Sequence, residues 1–252
     1  MIAQEQRDFQ DAEKWYRKAL PIFKQVGAEH HAASTYHHLG RIAEEQRDFQ
    51  NAEKWYRRSL EIKEKQGNEH GAATTYHQLG MIAQEQRDFQ DAEKWYRKAL
   101  PIFKQVGAEH HAASTYHHLG RIAEEQRDFQ NAEKWYRRSL EIKEKQGNEH
   151  GAATTYHQLG RIAQERRDFQ DAEKWYRKAL EIMERLADEH GAAQTYHQLG
   201  MIAQEQRDLQ TAEEWYRKSL EIKEKQGNEH GAAITYHQLG MIAQEQRDFQ
   251  DA

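Results

Sequence analysis

Cysteine is absent from the chain, which excludes disulfides, thiolate metal sites and a cysteine nucleophile. No apolar run approaches eighteen residues, so no membrane-spanning helix is expected. Charge of one sign is not in excess: 37 Lys and Arg face 42 Asp and Glu, a formal balance of -5. No block of like charge stands out, which argues against nucleic acid or a membrane surface as a partner. Proline occurs twice, 37% of residues are hydrophobic and 31% are charged, a mixture that suits helices burying one narrow face each. The opening Met-Ile-Ala-Gln-Glu-Gln recurs at Met81, Met201 and Met241, so it reads as repeat sequence and not as a targeting peptide. A cytoplasmic location is the default expectation.

What is present is repetition. The sequence restarts every 40 residues, at Met1, Arg41, Met81, Arg121, Arg161, Met201 and Met241, and residues 1–80 and 81–160 are identical. Two kinds of unit alternate, one carrying Pro21 and Phe23, the other Glu61 and Lys63. The whole chain, 1–252, reads as a single array with a partial unit at 241–252. Such identity means recent duplication or deliberate assembly.

Within one period the spacing predicts two helices. Gly67 ends the preceding helix and Asn68 caps the next, in which Ala72, Ala73, Tyr76, Leu79, Gly80, Ile82 and Ala83 recur at helical spacing to about Gln86. Arg87-Asp88 breaks the pattern, and Asp88 caps a second helix with Asp91 in its first turn. Phe89, Ala92, Trp95, Tyr96, Ala99, Leu100 and Phe103 form its buried side, and Gly107 ends it. Loops this short force the helices antiparallel, and each pair completes its core only by stacking on the next. Pro21 and Pro101 fall inside the second helix, where proline costs about 3 kcal/mol unless the helix bends. They predict a kink near Arg17–Pro21 and Arg97–Pro101, or else an early end to those helices.

The run Tyr76-x-x-Leu79-Gly80-x-Ile82-Ala83 followed by Asp88-Phe89-x-x-Ala92-x-x-Trp95-Tyr96-x-x-Ala99-Leu100 resembles the tetratricopeptide repeat. The match recurs through six periods and covers almost the whole chain. The resemblance implies an all-α fold, an α-solenoid of antiparallel helix pairs wound into a right-handed superhelix. Three departures stand out: a period of 40 where 34 is common, Arg87 where a glycine usually separates the helices, and no proline after the second helix. The longer period is similar to the variant in cell-polarity adaptors and bacterial sensor proteins.

The resemblance further implies that the first helices line a concave groove for a peptide or partner protein. By position, its lining is the second, fifth, ninth, twelfth and thirteenth residue of each family unit. These are Thr74, His77, Met81, Gln84 and Glu85 in one unit; elsewhere the fifth is His37, His117, His157, His197 and His237, and the ninth is Arg41, Arg121 and Arg161 or Met201 and Met241. This polar ladder suits an extended backbone or mixed-charge side chains, and lacks the Lys/Asn/Arg set with which some members clamp a terminal carboxylate. The plainer reading is a set of solvated faces copied with the repeat.

Sixteen histidines raise the question of zinc, nickel or pH sensing. His70 and His77 share a helix side, but two turns set their Cα atoms about 10 Å apart, too far for easy shared coordination, so no metal or other cofactor is expected. Nor is catalysis: there is no Gly-rich phosphate loop, nucleophile motif or metalloprotease helix, and six copies of one environment make no specialised cleft. The Trp and Tyr stripe could stack bases but fits an inter-helix core better. Charge balances within a unit, seven basic and seven acidic residues in 41–80, leaving no phosphate-binding stripe.

Residues 241–252 repeat residues 1–12, and neither end has an atypical polar cap. The chain is read as beginning in the last turn of a first helix, with a second helix starting near Phe9 and its apolar face open. Head-to-tail self-association is the expectation, as is origin in a longer sensor or adaptor array. The leading reading is a scaffold that binds a protein or peptide in its groove. The alternative is a structural or engineered self-assembling array without a specific ligand, and a metal- or proton-sensing solenoid comes third.

Overall fold

The computed structural model describes the backbone of residues 2–250 and the side chains of residues 8–247. The unit start at Met1 and the last two residues of the partial unit, Asp251 and Ala252, lie outside the described residues. Among the described residues there are twelve helices and no strand: α1 (Ile2–Gln25), α2 (Glu29–Glu45), α3 (Phe49–Lys65), α4 (Glu69–Glu85), α5 (Phe89–Gln105), α6 (Glu109–Glu125), α7 (Phe129–Lys145), α8 (Glu149–Glu165), α9 (Phe169–Arg185), α10 (Glu189–Glu205), α11 (Leu209–Lys225) and α12 (Glu229–Gln250). Even-numbered helices are the first helices of the repeat and odd-numbered ones the second.

Side-chain caps set most helix starts. Asn68 Oδ1 accepts from the Gly71 amide at 2.9 Å and Asp88 Oδ1 from the Asp91 amide at 3.1 Å, each satisfying an orphan donor of the first turn. The reversals depend on one left-handed residue. It is Gly67 (φ 64°) between α3 and α4, but Arg87 (φ 60°) between α4 and α5, with Arg47, Arg127, Arg167 and Arg207 in the same state. A side-chain-bearing residue there costs roughly 1–2 kcal/mol, which hairpin packing offsets.

That balance explains two departures from the sequence expectation. Arg7-Asp8 and Arg247-Asp248 carry the turn sequence, yet α1 and α12 run through them as unbroken helix. In both, one arm of the hairpin is too short to pack, so nothing offsets the left-handed arginine. The expected second-helix start near Phe9 is therefore corrected. Early ending at proline is also overturned, since α1 continues past Pro21 to Gln25 and α5 past Pro101 to Gln105.

The chain groups into two compact units, one through Ile122 and one from Ala123, with the boundary inside α6. In the first unit the core holds Ala52, Tyr56, Ala73, Leu79, Ala92, Tyr96 and Phe103. A Cβ added at Gly80 would lie 2.7 Å from the Tyr96 ring, so only glycine lets α5 approach α4 this closely. In the second unit Ala132, Tyr136, Ala153, Leu159, Ala172, Tyr176 and Ala179 belong to one cluster. There Gly160 and Gly200 meet Tyr176 and Tyr216 in the same way.

Candidate partner-binding surface

The twelfth-position residues are held from behind by second-helix tyrosines. Tyr56 donates to Glu44 Oε2 at 2.6 Å, Tyr96 to Gln84 Oε1 at 3.1 Å, Tyr176 to Gln164 at 2.9 Å and Tyr216 to Gln204 at 3.0 Å. A side chain anchored in this way presents its remaining hydrogen-bonding groups at a fixed place. Burial raises the pKa of Glu44, with Tyr56 and Arg41 opposing the shift. Burial, followed by the bond to Glu44, pushes the Tyr56 phenol well above its usual range.

At the ninth position Arg41, Arg121 and Arg161 are exposed, whereas Met81 and Met201 are half-buried. Arg161 reaches back to Glu124 on the preceding first helix, 2.9 Å away, and so joins neighbouring rungs of the ladder. In the second unit a recess of about 660 Å³ is lined by Met201, Gln204, Glu205, Arg207, Gln238, Met241 and Glu245. Five of these are ninth, twelfth or thirteenth residues of α10 and α12. A smaller recess of about 220 Å³ includes Gln164, Glu165 and Glu205 of α8 and α10. The recesses combine a thioether or guanidinium with amides and carboxylates, a set able to bind backbone groups and cations of a peptide.

The fifth-position histidines sit deeper. His37, His77, His117, His157 and His197 are half-buried, and only His237 is exposed. His77 packs on Tyr96 with ring centroids 5.2 Å apart, and His37, His157 and His197 meet Tyr56, Tyr176 and Tyr216 at 5.1–5.2 Å. His77 Nδ1 also lies 3.0 Å from Thr115 Oγ1 on the next first helix. Burial is the main reason these imidazoles resist protonation: the pKa falls from the usual 6.5 to about 4 for His37, His157 and His197, and to about 3 for His77. Thr74 is half-buried and donates to the His70 carbonyl at 3.0 Å. Among the described residues no group of three or more His, Cys, Asp or Glu is arranged to hold a metal ion.

Sequence reasoning missed the lysines at the position where Phe and Lys alternate. Lys63 and Lys223 are buried, and Lys63, Lys143 and Lys223 donate to Thr75, Thr155 and Thr235 at 2.8, 2.8 and 2.9 Å. Desolvation lowers the pKa of Lys63 and Lys143 to about 8. The alternation itself was the available signal, because Phe103 fills the corresponding buried site of α5 and Met183 that of α9.

Paired helices of this length, joined by left-handed turns and packed tyrosine on glycine, define an α-solenoid. A tetratricopeptide-repeat model matches residues 1–65, 71–145, 112–185, 151–225 and 191–252, and the chain belongs to that family. No curated protein matches the sequence. Among solved structures the chain is similar to the STAND ATPase PH0952 of Pyrococcus horikoshii, which has a tetratricopeptide repeat sensor (TM-score 0.82, 18% identity, 96% of this chain and 37% of that one). It is also similar to BtubC (BKLC) of P. vanneervenii (TM-score 0.77, 22% identity, 88% and 91%). A third is the putative kinesin light chain of Podosopora anserina with nearly identical TPR-like repeats (TM-score 0.64, 20% identity, 77% and 95%). At these identities the likeness is one of fold. No described helix is long and apolar enough to cross a membrane.

Proposed function

We propose that the chain is a non-catalytic scaffold whose first-helix faces bind an extended peptide or a segment of a partner protein. The recess between α10 and α12 carries this reading, because Met201, Gln204, Glu205, Met241 and Glu245 converge there from the ladder positions that the family uses for binding. Glu205 and Glu245 favour a ligand with a basic or amide-rich stretch, and the two methionines adapt to an apolar side chain beside it. The half-buried histidines form the floor of this face, where they fix the neighbouring tyrosines. A random-peptide display selection against the chain tests the reading. Selected peptides should lose binding to a Glu205→Lys, Glu245→Lys variant of unchanged helicity, and peptides that bind this variant equally well would contradict it.

A further inference from the structure

We propose that the outer faces of α12 and α1 are complementary to each other and form a head-to-tail interface, in which α1 of a second copy seats on α12 as α5 seats on α4. This goes beyond the groove reading and uses different residues. Both halves of the contact already exist inside the chain. Residues 9–25 of α1 are identical to α5, and residues 229–245 of α12 differ from α4 only in Ile234 for Thr74.

In the internal pair, Tyr96 is fully buried, stacked on His118 at 5.2 Å and packed against Gly80. Tyr16 of α1 stacks on His38 at 5.1 Å and is only half-buried. At Gly240 of α12, where the internal pair would hold that tyrosine, nothing lies within 4 Å. Tyr76 stacks on Trp95 at 5.7 Å in the internal pair, whereas Trp15 is 62% exposed and Tyr236 54% exposed. Ala73, Gly80 and Ala83 are buried in α4, whereas Ala233, Gly240 and Ala243 are exposed in α12. Ile22 on α1 and Val26 just past its end are also exposed apolar side chains.

Docking would therefore set Tyr16 of a second copy on Gly240, Trp15 on Tyr236, and Phe23 beside His237, repeating His77 with Phe103. The occupant is a second copy because complementarity here is residue for residue with a contact the fold already makes. Helix extensions 2–8 and 246–250 lie at the same end of this antiparallel pair, where they continue side by side in place of the arginine turn. The interface is heterologous, so one contact leaves a free α1 and a free α12, and chains add head to tail.

Sedimentation velocity over a concentration series tests this. The unaltered chain should associate reversibly. Gly240→Leu fills the empty seat, where an added Cβ meets nothing within 4 Å, and Trp15→Glu places a charge on the opposite face. Each should weaken association by about 30-fold or more, as loss of a central anchor does. Mixed in equal amounts, the two variants should form a 1:1 dimer and nothing larger, because each retains one intact and complementary end. An unaltered chain that stays monomeric throughout, association indifferent to either change, or a mixture without dimer would overturn the proposal.

Discussion

A Cβ at residue 80 would lie 2.7 Å from Cε1 of Tyr96, so the tyrosine of the second helix rests on bare backbone of the first. Gly80→Ala should therefore destabilise the fold by about 1–3 kcal/mol, because overpacking outweighs the gain in helix propensity. Gly240→Ala, with nothing within 4 Å, should stabilise by up to about 1 kcal/mol. Urea denaturation of the two variants checks the contrast, and equal effects would contradict this account of the glycine.

Stability should fall with acid earlier than carboxylate titration explains. His37, His157 and His197 have folded-state pKa values of about 4 and His77 of about 3, against the usual 6.5. Below pH 6.5 the unfolded chain takes up protons that the folded chain refuses, so this contribution is complete above 6.5 and is lost as the pH falls toward the folded values. Replacing all four with Gln should flatten the change in urea midpoint between pH 6.5 and 5, where ordinary carboxylates remain mostly ionised. An unchanged slope in that window would place the acid sensitivity elsewhere.

Lys63→Met should stabilise the chain at neutral pH by about 1–3 kcal/mol, since it removes a buried charge whose direct partner is a hydroxyl. The α9 counterpart, Met183, shows that the site accepts this side chain. Thr75 keeps its own bond to the Gly71 carbonyl at 2.9 Å. With a folded pKa of about 8 against the usual 10.5, unsubstituted Lys63 gains stability as the pH rises from 8 to 10.5. The variant should show a smaller rise in thermal melts across that range.

Pro101→Glu should raise stability by about 2–3 kcal/mol, because α5 continues through the proline and lacks one backbone hydrogen bond there. Glu61 and Glu141 occupy the corresponding positions of α3 and α7 and are compatible with regular helix. Calorimetry reads the difference directly. Lower stability of the variant would mean that the proline fits a conformation specific to α5.

Much of the fold is legible in local sequence. Caps at Asn68 and Asp88, the small–large pairing of Gly80 with Tyr96, and the helix limits follow from spacing and side-chain chemistry. The left-handed turns at Arg87 and its counterparts were legible as breaks, but their cause is tertiary: the same residues at Arg7 and Arg247 stay helical where one hairpin arm is short. The candidate surface was legible as a ladder of positions, yet its depth was not. The fifth-position histidines lie between helices because a second-helix tyrosine and the next first helix close over them. Lys63 illustrates the same limit, since a polar residue at a core position looks exposed until its threonine partner, twelve residues on, folds beside it.

In the proposed scaffold partners engage the first-helix face, and the methionine methyl groups report on that contact directly. Met81, Met201 and Met241 occupy ladder positions, whereas Met183 is buried in the core of α9. With ¹³C-labelled methionine methyls, titration of a display-selected peptide should shift the Met201 and Met241 signals and leave Met183 in place. Shifts confined to Met183, or saturating binding that moves none of the ladder methionines, would contradict the claim.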